Sequence, residues 1–302
     1  MLRFAWYSDR FSFMKICEIL SKKEPTLSFE VFPPKTSDKF DTVEAAVSQI
    51  ADLRPHFMSV TYGAAGTTRG FTTELAASIL KRGTTPLAHL TCVNASAQAT
   101  REQLNSLKQH GIENILALRG DIPEGADPST WEFKHAHELM DFIRENGDFC
   151  VGGACYPEKH PESSNVQADI ASLKIKQDAG CKFLTTQMFF DNSTFYNFLY
   201  KVREAGVTIP IIAGIMPVTN AKQMEKIIKL SGAFIPRRYV ALLDRWSDDP
   251  AALKEAAIAY ATDQIIDLIA NGVNHVHIYT MNKPDIAAKI QENLSSIVKK
   301  PE

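Results

Sequence analysis

Residues 27–36 read Leu-Ser-Phe-Glu-Val-Phe-Pro-Pro-Lys-Thr and place a carboxylate inside an otherwise apolar segment. The β-branched and aromatic residues predict a strand, and the two prolines predict that it ends at Phe32. Because side chains alternate along a strand, Ser28 and Glu30 face one side while Phe29 faces the other. A buried carboxylate is costly unless a cation neutralises it or its altered chemistry is used. Glu30 is therefore expected either in a salt bridge or at a functional site.

This segment is the first of eight strand-like runs that alternate with helical patterns. Strands are predicted at 27–32, 57–62, 86–91, 115–119, 150–156, 183–189, 210–216 and 275–280. Helices are predicted at 14–22, 42–53, 72–81, 100–110, 136–146, 164–179, 193–205, 220–230 and 250–270. Eight parallel strands alternating with helices over 302 residues are typical of the α/β class and of a single-domain (β/α)8 TIM barrel. A doubly wound open sheet is the alternative, but the G-x-G-x-x-G motif that usually follows its first strand is absent from the sequence.

The composition bears on partners and compartment. A formal net charge of −2 gives no indication of nucleic acid or of an acidic membrane surface as a partner. No apolar run is long enough to cross a bilayer, so a membrane protein is not expected. The five cysteines are scattered without a CxxC pair or a Cys/His cluster. This pattern indicates reduced thiols in a cytoplasmic protein and gives no indication of a metal site.

Residues 1–13 are expected to be an extension upstream of a barrel domain that covers residues 14–302. Arg3, Asp9 and Arg10 interrupt the hydrophobicity of this segment and argue against a signal peptide. An amphipathic helix is predicted to begin at Met14, which is a suitable start for the domain. Disorder or proteolytic loss of the first 13 residues would support this interpretation.

Polar residues occur at the predicted carboxyl ends of the strands, where the active sites of barrels lie. They are Glu30, Thr61, His89, Arg119, Gly120, Asp121, Tyr156, Gln187 and Tyr279. Each has a structural explanation when taken singly, such as an ion pair between Arg119 and Asp121. A barrel built only for stability could use Val, Ile and Leu at these positions. Their shared location therefore indicates a ligand site.

The loop at 156–164 suggests a ligand that carries phosphate, because it leads into the amino end of a predicted helix, which favours anions. Asp169 and Lys176 lie two turns apart on that helix and so share a face, although this spacing equally suits a solvated surface. The sequence has no nucleophile elbow, and no predicted strand ends in a lysine. Nucleophilic and Schiff-base chemistry are therefore not indicated.

Eight motifs follow one another along the chain. They are Leu-Ser-Phe-Glu-Val-Phe-Pro-Pro-Lys-Thr (27–36), Ser-Val-Thr-Tyr-Gly-Ala (59–64), His-Leu-Thr-Cys (89–92), Ala-Leu-Arg-Gly-Asp (117–121), Ala-Cys-Tyr-Pro-Glu-Lys-His-Pro-Glu (154–162), Thr-Gln-Met-Phe-Phe-Asp (186–191), Gly-Ile-Met-Pro-Val (214–218) and Tyr-Thr-Met-Asn (279–282). In this order, from about residue 14 to residue 294, they closely resemble the methylenetetrahydrofolate reductase family. The length is similar to that of the bacterial type, which has only the catalytic barrel. The resemblance implies a flavoprotein that holds FAD at the strand ends.

The resemblance also implies a ping-pong reaction. NADH or NADPH would give hydride to FAD and leave, and 5,10-methylenetetrahydrofolate would then take it and become 5-methyltetrahydrofolate. This product feeds one-carbon metabolism and methionine synthesis. The methylene bridge opens only when its departing nitrogen is protonated, so the site needs a general acid. Glu30 matches the acid of the family, and burial would raise its pKa and keep it partly protonated near neutral pH.

The site residues follow from the positions of the motifs. The residues implied to bind FAD are Thr61, Tyr62, His89, Arg119, Gly120, Asp121, His135, Tyr156, His160, Asp169 and Lys176. The residues implied to bind substrate are Glu30, Gln187, Ile227, Tyr279 and Lys283, with Gln187 on the folate pterin. Asp121 is also expected to be catalytic, because its negative charge near the flavin ring would stabilise a cationic folate.

Three positions depart from the family pattern. Ile227 stands where related bacterial enzymes have a Phe that stacks on nicotinamide or folate. Lys283 stands in place of an Arg, which replaces a fork of donors by a point charge. His135 stands where a flavin-stacking Tyr is common.

These departures leave alternatives open. The protein could be a flavin-binding subunit that takes electrons from a partner protein rather than from a nicotinamide dinucleotide. A flavin-free barrel lyase or aldolase is a third hypothesis, which predicts a colourless protein. A homo-oligomer is also compatible with the sequence.

Overall fold

The computed structural model of the chain describes residues 14–62, 69–93, 95–122, 125–220, 224, 227–228 and 231–301. Eight parallel strands form a closed barrel in sequence order, and β1 pairs with β8 to complete the ring. The strands are β1 Thr26–Val31, β2 Phe57–Val60, β3 Thr85–Thr91, β4 Asn114–Leu118, β5 Cys150–Cys155, β6 Phe183–Thr186, β7 Ile211–Ile215 and β8 His275–Tyr279. The predicted (β/α)8 TIM barrel is confirmed, and each predicted strand end lies within three residues of the observed one.

Helices surround the barrel. They are α1 Ile16–Ile19, α2 Phe40–Ala51, α3 Arg69–Lys81, α4 Ala97–Gln109, α5 Ala136–Asn146, α6 Val166–Asp178, α7 Asn192–Glu204, α8 Arg237–Trp246, α9 Pro250–Ala270 and α10 Pro284–Asn293. The predictions at 136–146 and 250–270 are correct to the residue, whereas the predicted helix at 14–22 is shorter and α8 and α10 were not predicted. The predicted helix at 220–230 lies largely outside the described residues, as does the proposed extension at 1–13. Within the described ranges, no helix is both long enough and apolar enough to cross a membrane.

The main hydrophobic core lies between the strands and the outer helices. Phe29 and Val31 of β1 are fully buried there, together with apolar residues of α2 and α10 such as Ile50 and Ile290. This placement confirms the predicted alternation, because Glu30 lies between two side chains that face the helices. Glu30 is therefore directed into the barrel.

The amino-terminal end of the barrel is closed by a second apolar cluster. Ile16 and Ile19 of α1 pack there with Phe57, Phe183 and other side chains of the barrel interior. Asn114 fixes the helix, because its Oδ1 accepts a hydrogen bond from the backbone N–H of Ile16 at 2.9 Å. The lower interior is thus mainly apolar, and its polar side chains, such as Asn114, are hydrogen-bonded within the protein.

Gly152 of β5 makes room for Phe183 in this lower layer. A Cβ atom on Gly152 would lie 2.3 Å from the ring of Phe183, which is fully buried and belongs to the neighbouring strand β6. Such a distance is far inside van der Waals contact, and close-packed interiors relax only partly. Glycine at this position therefore allows the large ring to fill the barrel.

We expect Gly152→Ala to lower the free energy of unfolding by about 1–3 kcal/mol, the usual cost of overpacking a core. Denaturant unfolding measures this change. Gly70→Ala is the matched control, because Gly70 lies in α3 and a Cβ atom added there would meet nothing within 4 Å. The control should be neutral or slightly stabilising, since Gly in a helix costs about 1 kcal/mol relative to Ala. Equal stability of Gly152→Ala and the parent protein would contradict the packing described.

Candidate active site

Buried polar side chains at the carboxyl end of the barrel centre on Glu30. Glu30 of β1 is only 8% exposed, and its Oε2 lies 3.6 Å from Nε2 of His89 on β3, which is too far for a hydrogen bond. Burial raises the pKa of Glu30 to about 8 and lowers the pKa of His89 to about 3. Both groups are therefore neutral near pH 7. The salt-bridge alternative does not describe this pair at that pH.

A row of hydrogen bonds crosses the barrel interior beside Glu30. Ser59 is the direct neighbour of Glu30 in the β1–β2 register, so the two side chains lie side by side on the inner face of the barrel. The Ser59 hydroxyl lies 3.0 Å from Nε2 of His277 on β8, and Nδ1 of that ring lies 2.7 Å from Oγ of Ser28. Burial lowers the pKa of His277 to about 3, so this ring is also neutral. From the sequence, strand alternation predicts that His277 shares a face with Tyr279. It does not predict that His277 lies near Glu30.

The segment after β8 fixes the backbone around Glu30. Oγ1 of Thr280 donates a 2.7 Å hydrogen bond to the carbonyl of Glu30. The side chain of Asn282 accepts from the N–H of Phe32 at 2.8 Å and donates to its carbonyl at 2.9 Å. Met281 and Asn282 both have positive φ angles, of 54° and 56°, which cost energy for residues other than glycine. The strained turn therefore places its side chains where they secure the end of β1.

Tyr279 crosses the barrel mouth from β8 to β6. Its side chain is half-buried, and its hydroxyl donates a hydrogen bond to the carbonyl of Thr186. A Cβ atom on Gly214 of β7 would lie 2.6 Å from this hydroxyl and 2.4 Å from the same carbonyl. Glycine at 214 is thus needed for Tyr279 to span the strand between them. Burial raises the pKa of Tyr279 well above its ordinary value, so the phenol stays neutral beside Glu30.

An ion pair lies on the opposite side of the mouth, after β4 and β5. The guanidinium of Arg119 donates two hydrogen bonds to the carboxylate of Glu162, at 2.5 and 2.7 Å. Tyr156 packs edge-on against His160 with 4.6 Å between ring centroids. The structure therefore brings together three residues that the resemblance assigns to FAD. Glu162 belongs to the same motif but was not predicted as a partner of Arg119.

The loop after β5 is held by side chains that point into it. Nζ of Lys159 donates to the carbonyls of His160 and Ser163 at 2.8 and 2.6 Å. Asp169 of α6 accepts from the N–H of His160 at 3.0 Å. Farther along the same helix, Lys176 donates to the carbonyl of Ala154 at 2.7 Å. Asp169 and Lys176 therefore face the barrel end rather than solvent, and Lys159 is a residue that sequence reasoning missed.

Asp121 lies exposed at the end of β4, beyond a tight backbone turn. The turn is made by Gly120, whose φ angle is +87°, and a Cβ atom added to it would lie 2.8 Å from Val93. Another residue type would be strained there on both counts. The pKa of Tyr156 is raised to about 12, chiefly by burial and further by the negative charge of Asp121. Asp121 is therefore close enough to act electrostatically at this side of the mouth.

The remaining predicted residues lie around this mouth or farther from Glu30. Thr61 and Tyr62 follow β2 and are half-buried, and His135 is exposed at the amino end of α5, stacked on His137. Oε1 of Gln187 accepts from the N–H of Met188, and Nζ of Lys283 donates to Thr219.

Ile227 is buried in an apolar cluster above β6 and β7. The cluster contains Phe190, Met216 and Tyr239, and Tyr279 packs against it. Ile227 is only 7% exposed, so its side chain contacts protein and does not stand free for a ligand ring.

The polar groups at the barrel mouth are of the chemical types that can bind a flavin dinucleotide. Nε2 of His89 is buried and has no hydrogen-bond partner among the described residues, so a ligand atom could satisfy it. Arg119 and the amino end of α6 supply positive charge for phosphate on the β4–β5 side. Within the described part of the chain, no three side chains are grouped to hold a metal ion.

Over most of its length, the chain is similar to enzymes that are named methylenetetrahydrofolate reductase. The family model for methylenetetrahydrofolate reductase matches residues 15–295. A 5,10-methylenetetrahydrofolate reductase of Pectobacterium carotovorum subsp. carotovorum is 36% identical over 270 residues, which cover 89% of each chain. The Escherichia coli K12 enzyme of the same name is 35% identical, over 89% of this chain and 90% of its own. An Arabidopsis thaliana methylenetetrahydrofolate reductase (NADH) is 33% identical, over 94% of this chain and 50% of its own.

Similarity of structure agrees with the barrel architecture. An uncharacterized protein from Clostridium thermocellum that binds two copies of 5-methyl-5,6,7,8-tetrahydrofolic acid superposes with a TM-score of 0.60. Its sequence is only 15% identical, over 93% of this chain and 98% of that chain, so this likeness concerns the fold alone. The family model and the bacterial relatives carry the assignment, and by them this chain belongs to the methylenetetrahydrofolate reductase family.

Proposed function

We propose that the protein reduces 5,10-methylenetetrahydrofolate to 5-methyltetrahydrofolate, with FAD as the bound cofactor and NADH or NADPH as the source of hydride. Membership of the family supports the folate reaction. The observation that carries the mechanism is the buried carboxyl of Glu30, whose pKa is raised to about 8 at the carboxyl end of the barrel. A group of this kind is a competent acid at neutral pH.

FAD would supply the hydride carrier that passes electrons from nicotinamide to folate. The residues that would hold it lie on or after strands β2 to β5 or on α6: Thr61, Tyr62, His89, Arg119, Gly120, Asp121, Tyr156, His160, Asp169 and Lys176. His89 offers a ring nitrogen that has no hydrogen-bond partner among the residues that the structure describes, and Arg119 offers a guanidinium suited to phosphate. Arg119 is occupied by Glu162, so an anionic ligand at this point competes with that carboxylate. His135 lies exposed on α5, and a role for it in cofactor binding rests on the resemblance alone.

Glu30 would deliver the proton that opens the methylene bridge. The departing nitrogen of the folate must be protonated before the bridge becomes a good hydride acceptor. Near pH 7 the Glu30 carboxyl holds its proton because burial disfavours the carboxylate. Asp121 is exposed at the end of β4, and its negative charge would stabilise a cationic folate.

The folate would lie between Glu30 and the β6–β8 ends. Gln187 carries an amide at the end of β6 that can pair with the pterin ring in two directions. Tyr279 would contact the folate beside Glu30. Lys283 places one positive charge near Thr219, where it would face the acidic tail of the substrate. These roles are expectations from the family motif and from the chemistry of each side chain.

A second candidate function is a flavin subunit that receives electrons from a partner protein. The observation in its favour is that Ile227, at the position where relatives stack a Phe on the ligand, is buried in an apolar cluster. The Arabidopsis relative carries NADH in its name, which favours a nicotinamide donor for this family. A direct measurement on this protein distinguishes the two functions.

We expect Glu30→Gln to retain its flavin and to be reduced normally by NADH or NADPH. Reoxidation by 5,10-methylenetetrahydrofolate should slow by at least about 100-fold, the low end of what a positioned general acid contributes. Stopped-flow absorbance of the flavin follows the two half-reactions separately. Glu113→Gln is the control, because Glu113 is exposed before the start of β4 and at the other end of the barrel. Normal folate turnover in Glu30→Gln would refute the acid role.

The folate half-reaction should also depend on pH with a defined sign. Glu30 is raised to a pKa of about 8, so it carries its proton below that pH and loses it above. The rate of reoxidation by folate should therefore fall above about pH 8, approaching tenfold per pH unit, because only the protonated form can act. The rate of flavin reduction by NADH or NADPH should not show this decrease above pH 8. A folate rate that rises through pH 8 would contradict the assignment of Glu30 as acid.

Reduction of the purified protein by NADH and by NADPH, compared in a stopped-flow instrument, tests the electron donor. Rapid reduction by either one supports the nicotinamide-dependent enzyme and excludes the need for a partner. Failure with both, together with rapid reduction by a reduced viologen dye, would support the partner-dependent subunit. Ile227→Phe would then show whether an aromatic side chain at this position restores reduction by nicotinamide.

A further inference from the structure

Hydrogen bonds around His277 form a sequence in which each proton can be assigned. Oγ of Ser28 donates to the carbonyl of Val276 at 3.0 Å, and a hydroxyl has only one proton to give. Towards Nδ1 of His277, 2.7 Å away, Ser28 must therefore accept. Nδ1 of the neutral ring thus carries the proton, and Nε2 has the lone pair.

This tautomer fixes the direction of the Ser59 hydroxyl. Nε2 of His277 lies 3.0 Å from Oγ of Ser59, and with a lone pair on Nε2 the hydroxyl must donate to it. Ser59 then has only oxygen lone pairs to offer the carboxyl of Glu30, its direct neighbour in the β1–β2 register. A carboxylic acid can donate to such an oxygen, whereas a carboxylate would face it without a proton between them.

We propose that His277 is a positioning residue that holds Glu30 in its acid form, by fixing Ser59 as a hydrogen-bond acceptor through the Nδ1-protonated tautomer. The inference deepens the proposed folate reaction and rests on it for its purpose. The row of hydrogen bonds ends on the backbone carbonyl of Val276, which cannot take up a proton. It can therefore orient Ser59 but cannot carry protons away from Glu30.

Ser28, His277, Ser59 and Glu30 could also form hydrogen bonds in the opposite donor-to-acceptor direction. This alternative makes the proposal testable. If Nε2 of His277 carried the proton, it would donate to Ser59, and the Ser59 hydroxyl would then donate to a Glu30 carboxylate. Such a bond would lower the pKa of Glu30, because a donated hydrogen bond stabilises the carboxylate. The bond from Ser28 to Val276 selects between the two polarities, because its loss frees Ser28 to donate to the ring.

The other groups that face Glu30 cannot take over the effect of Ser59 on its protonation state. His89 on β3 is neutral, with a pKa of about 3, and lies beyond hydrogen-bonding distance. Tyr279 on β8 commits its hydroxyl proton to the carbonyl of Thr186. Ser59 on β2 is therefore the group through which a change at Ser28 or His277 can reach Glu30.

The test is an infrared titration of the Glu30 carboxyl in the intact purified protein. The carbonyl band of the protonated form is assigned by its absence in Glu30→Gln. We expect Ser28→Ala and His277→Phe each to lower the titration midpoint of Glu30 by about one pH unit or more, a tenfold change in the ratio of acid to carboxylate. Both variants leave Ser59 free to donate to Glu30. Ser28→Ala is the smaller change and carries the test if His277→Phe fails to fold.

A background with Ser59→Ala provides the matched control. The effects of Ser28→Ala and His277→Phe should disappear there, because both act through the Ser59 hydroxyl. Unchanged midpoints in the single variants, or equal shifts with and without Ser59, would overturn the inference. So would a nitrogen-15 spectrum of the native protein in which His277 is protonated at Nε2. These readouts need no folate turnover, so they are independent of the activity of Glu30→Gln, by which the proposed function fails or holds.

Discussion

The site depends on a carboxyl that is buried among neutral partners. Ser59, His89 and Tyr279 surround Glu30 and offer it no cation near pH 7, since burial lowers the pKa of His89 to about 3. In such surroundings the carboxylate is the costly form, and the acid persists to a pKa of about 8. A barrel that had only to be stable could hold an aliphatic side chain at this position. The buried carboxyl is therefore better explained by chemistry than by stability.

The rest of the barrel makes this burial possible by dividing the interior into two regions. The amino end is filled mainly by apolar side chains and by α1, and it lies apart from the polar residues around Glu30. Above it, Thr280 and Asn282 hold the backbone of β1 at Glu30 and Phe32 through three hydrogen bonds. Because these bonds fix the backbone at Glu30 and at Phe32, they hold the residue that carries the carboxyl in place where β1 meets β8. Position and pKa thus have a common structural cause.

The sequence predicts the parts of this arrangement that depend on local patterns. Alternation within β1 correctly directs Glu30 into the barrel and Phe29 towards the helices. Local patterns do not predict which side chains of distant strands come into contact. The pair of Arg119 with Glu162 joins residues 43 apart, and the contact of Ser59 with His277 joins residues 218 apart. A periodicity places each of these side chains on a face, but only the closed barrel and its register determine which one it meets.

The two sides of the mouth hold their ionisable groups in different ways, and this difference suits two ligands. On the Glu30 side the partners are neutral, fixed and buried, so a substrate there meets a site whose protonation is already set. On the other side, Arg119 and Glu162 form a half-exposed ion pair, and such pairs are worth little in water. A phosphate can take the place of the Glu162 carboxylate at small cost, because it offers Arg119 the same paired acceptors. The ion pair can therefore keep the guanidinium oriented until an anion displaces it, while the buried side remains unchanged.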